Sequence, residues 1–174
     1  MKYIVGIDEV GRGPLAGPVC VAAVAIEKRL YKDTFRKFKG LKDSKKTSAS
    51  LREEWLKKID KFPKSIFYSV SMVGSSVIDK KGIVRAIEMS LSHSLSRLSL
   101  QPDKCLVLLD GSLKAPKEFK NQRTIIRGDE KEKIIAMASI VAKVCRDNYM
   151  KRQSKMFPLY GFEKHKGGLR EFSA

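Results

Sequence analysis

Asp8 and Glu9 stand side by side at the end of a short apolar run, Tyr3-Ile4-Val5-Gly6-Ile7, and Gly11-Arg12-Gly13 follows almost at once. A carboxylate that closes a buried strand is costly without a positive partner. Glycines on either side of a cation let backbone approach a ligand closely or take a positive φ. Each half has an ordinary reading, because Asp forms turns and Gly-x-Gly alone is a weak signal. Together in one short stretch they point to a metal-binding carboxylate beside a backbone cradle for a phosphate or a sugar.

The same design recurs at Cys105–Leu109, a continuous apolar run that ends in Asp110-Gly111. An Asp-Gly turn is the plain alternative. If the two strands lie side by side and parallel, both carboxylates reach the same end of a sheet, where open α/β sheets build their sites. Asp129 follows Arg127-Gly128 and precedes a long helical pattern. It reads either as a further site acid or, with Glu132, as a helix N-cap pair. Lys143 and Asp147 are four apart on a helix, which suits a surface ion pair as well as a phosphate contact. Lys45 and Lys46 end a basic segment, 28–46, that is either a solvated loop or a phosphate-contacting one. Like-charged acids held together resist ionisation unless a cation neutralises them. Divalent ions on carboxylates, acting on an anionic polymer, match metal-assisted phosphodiester hydrolysis. His93 and His165 sit in separate, unpatterned places, so no Ser-His-acid set is readable.

The elements that must position these acids follow from periodicity. Tyr3–Ile7, Val19–Ile26, Ser65–Val73, Cys105–Leu109 and Thr124–Ile126 read as strands. The short Gly/Pro-rich link between the first two predicts an antiparallel pair. Ser50 and Glu53 form a capping box for a helix whose Leu51, Trp55, Ile59 and Phe62 share one face until Pro63 stops it. A second helix, 83–98, carries Val84, Ile87, Leu91, Leu95 and Leu98 as its apolar stripe, with His93 off that stripe. A third, beginning near Asp129, puts Ile134, Ala138, Val141, Cys145 and Tyr149 inward. The expected fold is a single α/β domain over 1–174 with a mixed sheet.

Composition narrows the partner. The 174 residues carry 36 Lys plus Arg against 19 Asp plus Glu, a formal charge of +17. Such an excess implies an anionic partner, nucleic acid first. The longest apolar run, 18–26, is too short for a bilayer, and no basic amphipathic helix suggests a membrane surface. The acids arrive too early for a signal peptide. Cys20, Cys105 and Cys145 fall in apolar stretches without a CxxC, as expected of free thiols in a cytoplasmic protein. With two histidines a zinc site is improbable, and a hard ion on oxygen ligands, Mg²⁺ or Mn²⁺, fits better.

The segments IDEVGRGPLAGPV, LKDSKK, LLDG, RGD, MASIVAKVCRD and FPLYGFEKHKG, in this order from about Ile4 to Gly167, closely resemble the ribonuclease HII, or type 2 ribonuclease H, family. The related ribonuclease HIII family usually has lysine between the two glycines, so Arg12 favours HII. The resemblance implies a ribonuclease H-like fold, a mixed five-stranded sheet flanked by helices, in a monomeric enzyme. It implies a metal-dependent endonuclease that cuts the RNA strand of RNA/DNA hybrids and cuts 5′ of ribonucleotides embedded in duplex DNA. The products carry 5′-phosphate and 3′-hydroxyl ends. By motif, Asp8, Glu9, Asp110 and Asp129 hold the metal. Gly11, Arg12 and Gly13 read the 2′-hydroxyl, which separates RNA from DNA. Lys45, Lys46 and Lys143 are phosphate contacts. Two departures stand out: Gly168 replaces a tyrosine that contacts the RNA-to-DNA junction, and the C-terminal segment is expected to be shortened. The rival reading is a non-catalytic nucleic-acid-binding protein on the same scaffold, which gains nothing from carboxylates facing phosphates. Cleavage of a labelled hybrid with Mg²⁺ and with EDTA separates the two.

Overall fold

A computed structural model of the protein describes residues 1–41 and 47–168. Its centre is β1 (Tyr3–Val10), flanked by β2 (Val19–Glu27) and β4 (Cys105–Asp110). Outside these lie β3 (Ile66–Val73) and β5 (Gln122–Ile125), giving the order β3-β2-β1-β4-β5. β1 pairs antiparallel with β2 and parallel with β4, while β3 and β5 extend the sheet antiparallel and parallel respectively. The sheet is therefore mixed, as expected. From Val19 to Ile26 every residue of β2 is buried. This is what a continuous Val/Ala/Ile run achieves when both faces of a strand are covered.

One face is covered by the long helix α6 (Lys133–Met156), with α1 (Tyr31–Lys37) and α2 (Ala49–Asp60) beside it. The other is covered by α4 (Ile83–Arg97), which follows the short α3 (Ser75–Lys81). Two further α-helices among the described residues are brief, α5 (Gly128–Lys131) and α7 (Phe162–His165). Side chains at alternate positions of β1 serve the two layers: Val5 and Ile7 face α4, and Ile4 faces α6. Gly6 faces α6 as well. A Cβ there would lie 2.5 Å from the carbonyl carbon of Ile134, so glycine is what lets α6 press onto the central strand. That close approach brings the middle of α6 over the end of β1.

Several local expectations change. Ser48, not Ser50, caps α2, and its hydroxyl accepts from Leu51 N–H at 3.3 Å. The Ser/Thr pattern allowed either register, and the helix begins two residues earlier, at Ala49. Part of the basic segment 28–46 is helix, because Phe35, Phe38 and Leu41, spaced by three, pack into the core. Val84 leaves the apolar stripe of α4 and is 60% exposed, while Ile87, Leu91 and Leu95 are buried as expected. Its place on the stripe goes inward to serines: Ser90 Oγ donates to Ser71 O at 2.8 Å, and Ser94 Oγ to Leu91 O at 2.8 Å. Trp55 packs on Phe38 as a core ring, and His93 is exposed, both as expected. Cys20 and Cys105 are buried free thiols, and Cys145 is a half-buried one.

Candidate active site

The parallel register of β1 and β4 ends with Ile7 opposite Leu109. Asp8 and Asp110 stand one residue further on, at the same sheet edge. Asp129 reaches them from α5, which follows β5 directly. The turn into α5 depends on Arg127 in the left-handed region, at φ 55°. It also depends on Gly128, where a Cβ would lie 2.6 Å from Ile135 Cδ1. Gly128 N–H donates to Asp110 Oδ1 at 2.5 Å, which ties the turn to the acid it must approach. Among the described residues, Asp8, Asp110 and Asp129 bring one carboxylate oxygen each within 4.8 Å of one another.

Asp8 and Asp129 are each 5% exposed. Two unit charges about 4.8 Å apart at an effective dielectric of about 20 repel by roughly 3.5 kcal/mol. Three such acids therefore need a proton or a cation among them. Burial pushes the Asp8 carboxyl up to about 8, with Glu9 and Asp110 adding repulsion; the hydrogen bonds from Ser139 and from Glu9 N–H oppose the rise. Glu9 N–H donates to Asp8 Oδ1 at 2.8 Å. The carboxylate set is all hard oxygen, matching Mg²⁺ or Mn²⁺ and no thiolate-seeking ion. Glu9, the next residue on the strand, is not among these three converging carboxylates, and its charge adds repulsion at Asp8.

The Gly-rich loop, residues 11–18, is held by a residue the sequence reading passed over. Arg146 of α6 is 1% exposed. Its Nε donates to Pro18 O at 2.9 Å, Nη2 to Ala16 O at 3.1 Å, and Nη1 to Lys166 O at 3.0 Å. One guanidinium thus fixes the loop after β1 and the segment after α7 together. Ala16 N–H also donates to Gly167 O at 3.2 Å. Gly11 has φ 100°, and a Cβ there would meet Arg146 Nε at 2.5 Å and Pro18 O at 2.6 Å. Gly13 is the opposite case: it is exposed, with nothing within 4 Å of a would-be Cβ. Arg12 is exposed beside it. An Arg directly after the largely apolar helical stretch Ile134–Cys145 was the signal that could have revealed Arg146. Ser139, on the same helix, carried no such signal.

Lys143 Nζ donates to Asp147 Oδ1 at 2.8 Å, the ion-pair alternative, and Arg52 Nη2 lies 3.6 Å from the other oxygen of Asp147. Lys45 and Lys46 lie outside the described residues. Asp129 sits at the trio and not at a cap, while Glu132, in extended backbone, precedes α6 without a side-chain capping bond.

Comparisons with known proteins bear on the family and the fold. The family model described as Ribonuclease HII matches residues 5–170. Ribonuclease HII of Caldicellulosiruptor bescii is 46% identical over 171 residues, covering 98% of this chain and 78% of that protein. Ribonuclease HII of Bacillus cytotoxicus is 42% identical over 167 residues, covering 96% of this chain and 60% of that protein. The crystal structure of ribonuclease H2 from Pyrococcus horikoshii superimposes with a TM-score of 0.76 at 24% identity, over 98% of this chain and 82% of that one. Ribonuclease HII in a PCNA complex from Archaeoglobus fulgidus gives a TM-score of 0.68 at 29% identity, over 88% of this chain and 76% of that one.

Proposed function

The chain belongs to the ribonuclease HII family, and from that premise we propose that it hydrolyses the RNA strand of RNA/DNA hybrids and cuts 5′ of single ribonucleotides embedded in duplex DNA. It is a ribonuclease H, an endonuclease of a divalent-metal-dependent family. In this reading the products are a 5′-phosphate and a 3′-hydroxyl, and the ion is Mg²⁺ or Mn²⁺. Among the described residues no helix is long and apolar enough to cross a membrane.

The observation that carries the proposal is the convergence of Asp8, Asp110 and Asp129 oxygens within 4.8 Å at the carboxyl ends of the central strands. These three acids, joined by Glu9 on the strength of the family motif, would hold the ion. A bound divalent ion lowers the pKa of an attacking water and stabilises the leaving oxygen. The protein's own part is placement. Gly128 N–H orients the Asp110 carboxylate, and Ser139 hydrogen-bonds Asp8. Arg146 holds the backbone from which Gly11, Arg12 and Gly13 would address the 2′-hydroxyl and its phosphate. Lys45, Lys46 and Lys143 would add positive charge toward the duplex, Lys143 while paired to Asp147.

The test is cleavage of an end-labelled RNA/DNA hybrid, and of a DNA duplex with one ribonucleotide, in Mg²⁺, in Mn²⁺ and in EDTA. Cutting in either metal, silenced by EDTA, with 5′-phosphate ends, is the expected result. A folded protein that leaves both substrates intact in both metals would overturn the reading.

A further inference from the structure

Directly after Asp110 the chain enters a long connection, 111–121, before β5. A loop of that length would ordinarily be mobile, yet this one is pinned from both sides. Leu113, Ala115 and Phe119 are buried under the α4 layer. The Gln122 side-chain amide accepts from Ala115 N–H at 2.8 Å and donates to Ala115 O at 3.2 Å and Phe119 O at 3.0 Å. Thr124 Oγ1 donates to Leu113 O at 3.2 Å. Ser112 and Lys114 alternate with the buried residues and are exposed, and Lys117 is exposed beyond Pro116, so that the three line one edge.

That edge faces α4 across an open trough. Its inner part is a cavity of about 130 Å³ bounded by Arg12, Ser112, Lys114 and Glu88. Its outer part, about 540 Å³, continues from Glu88 and Lys114 to Arg85 and Lys117. Shared residues make the two parts continuous. Glu88 is occupied by Arg85 at 2.8 Å, so the trough keeps a net excess of positive charge. It begins at Arg12 of the proposed sugar-reading loop and leads away from the acids.

We propose that this trough is a phosphate-tracking rail that carries the backbone of the substrate duplex beyond the cleaved nucleotide, with Lys114 and Lys117 as its contacts. The proposal rests on the hybrid-cleaving reading above. Fixed cations on a pinned loop suit a regularly spaced polyanion, because phosphate contacts set register without reading sequence. They also spare the ordering cost that a mobile loop would incur on binding.

The test measures binding of a fluorescein-labelled RNA/DNA hybrid about two helical turns (about 20 base pairs) long, in Ca²⁺, across a salt series. The proteins compared are the wild type, Lys114→Ala/Lys117→Ala, Lys114→Arg/Lys117→Arg, and Lys28→Ala/Arg29→Ala. Lys28 and Arg29 are exposed at the opposite end of the sheet and serve as the charge-matched control. Loss of two phosphate contacts should reduce the slope of log K against log salt by about 1.8, or roughly thirtyfold in affinity at ~0.15 M salt. The arginine pair should restore the slope, and the control pair should leave it at the wild-type value. An alanine pair with the wild-type slope overturns the rail, as does a control pair that loses as much. Wild-type protein that cleaves the hybrid while the alanine pair binds unchanged refutes the rail alone. Wild-type protein that neither binds nor cleaves it refutes the functional reading with it.

Discussion

Replacing Arg146 by Met should unlatch the Gly-rich loop from the rest of the domain. The substitution keeps most of the side-chain volume but removes the donors to Pro18, Ala16 and Lys166 carbonyls. A hydrogen bond to a charged group contributes about 1.5–3 kcal/mol, and a stranded buried acceptor costs about 1–3 kcal/mol. Relief of the buried guanidinium offsets part of this, since an apolar replacement no longer has to desolvate a charge. A net loss of about 3–5 kcal/mol follows, close to what breaking a buried charged network costs. At about 2–4 °C per kcal/mol for a chain of this size, the melting temperature should fall by roughly 6–20 °C. Thermal unfolding followed by circular dichroism measures it. Arg146→Lys keeps the charge but cannot reach three carbonyls spread over two segments, so it should fall between the two. A melting temperature within about 2 °C of wild type for Arg146→Met would refute the latch. Hybrid binding gives a second readout: both variants should weaken it, because the segment carrying Gly11 to Gly13 loses its anchor.

Three further outcomes are expected. Asp110→Asn should abolish cleavage while hybrid binding in Ca²⁺ stays near wild type. Its Oδ1 still accepts from Gly128 N–H, so normal turnover in the folded variant would remove Asp110 from the site. The buried Asp8 carboxyl, raised from its ordinary value of about 3.9 to about 8, makes a pH-dependent contribution. Because the folded value is the higher one, the native state binds more protons, so this contribution is fully present below about pH 4 and is lost as pH rises towards 8. In EDTA, the melting temperature of wild type relative to Asp8→Asn should therefore decline across that window, and Mg²⁺ should stabilise wild type more at pH 8 than at pH 5; a flat difference would contradict it. Gly168→Tyr should raise the rate on a single-ribonucleotide duplex more than on a full hybrid. Among the described residues a Cβ there would meet the backbone O of His165 at 3.2 Å, a tight contact that the carbonyl relieves by moving a few tenths of an ångström, and base stacking on a ring is worth ~1–3 kcal/mol. Equal rates for both proteins would leave the role to another ring, such as Tyr160, 64% exposed and stacked on Phe162.

Local pattern was enough for much of this molecule. Five runs of β-branched and apolar residues became the five strands, because a short apolar run between glycines and polar turns has few other ways to be buried. The carboxylates that end two of those runs, Asp8 and Asp110, needed only a parallel pairing to meet, and β1 with β4 supplies it. The family motifs named the same acids. Contacts between distant segments were beyond such reading. Asp129 was as good a helix cap as a site acid until Arg127 in the left-handed region and Gly128 packed against Ile135 turned it to the trio. Glu9, adjacent to Asp8 in sequence, is not among the three converging carboxylates, which adjacency in sequence alone could not tell. Arg146 binds a carbonyl 128 residues away, a partnership that no local spacing encodes. It exists only because Gly6 lets α6 lie against the central strand, which sets the guanidinium over the loop that β1 feeds.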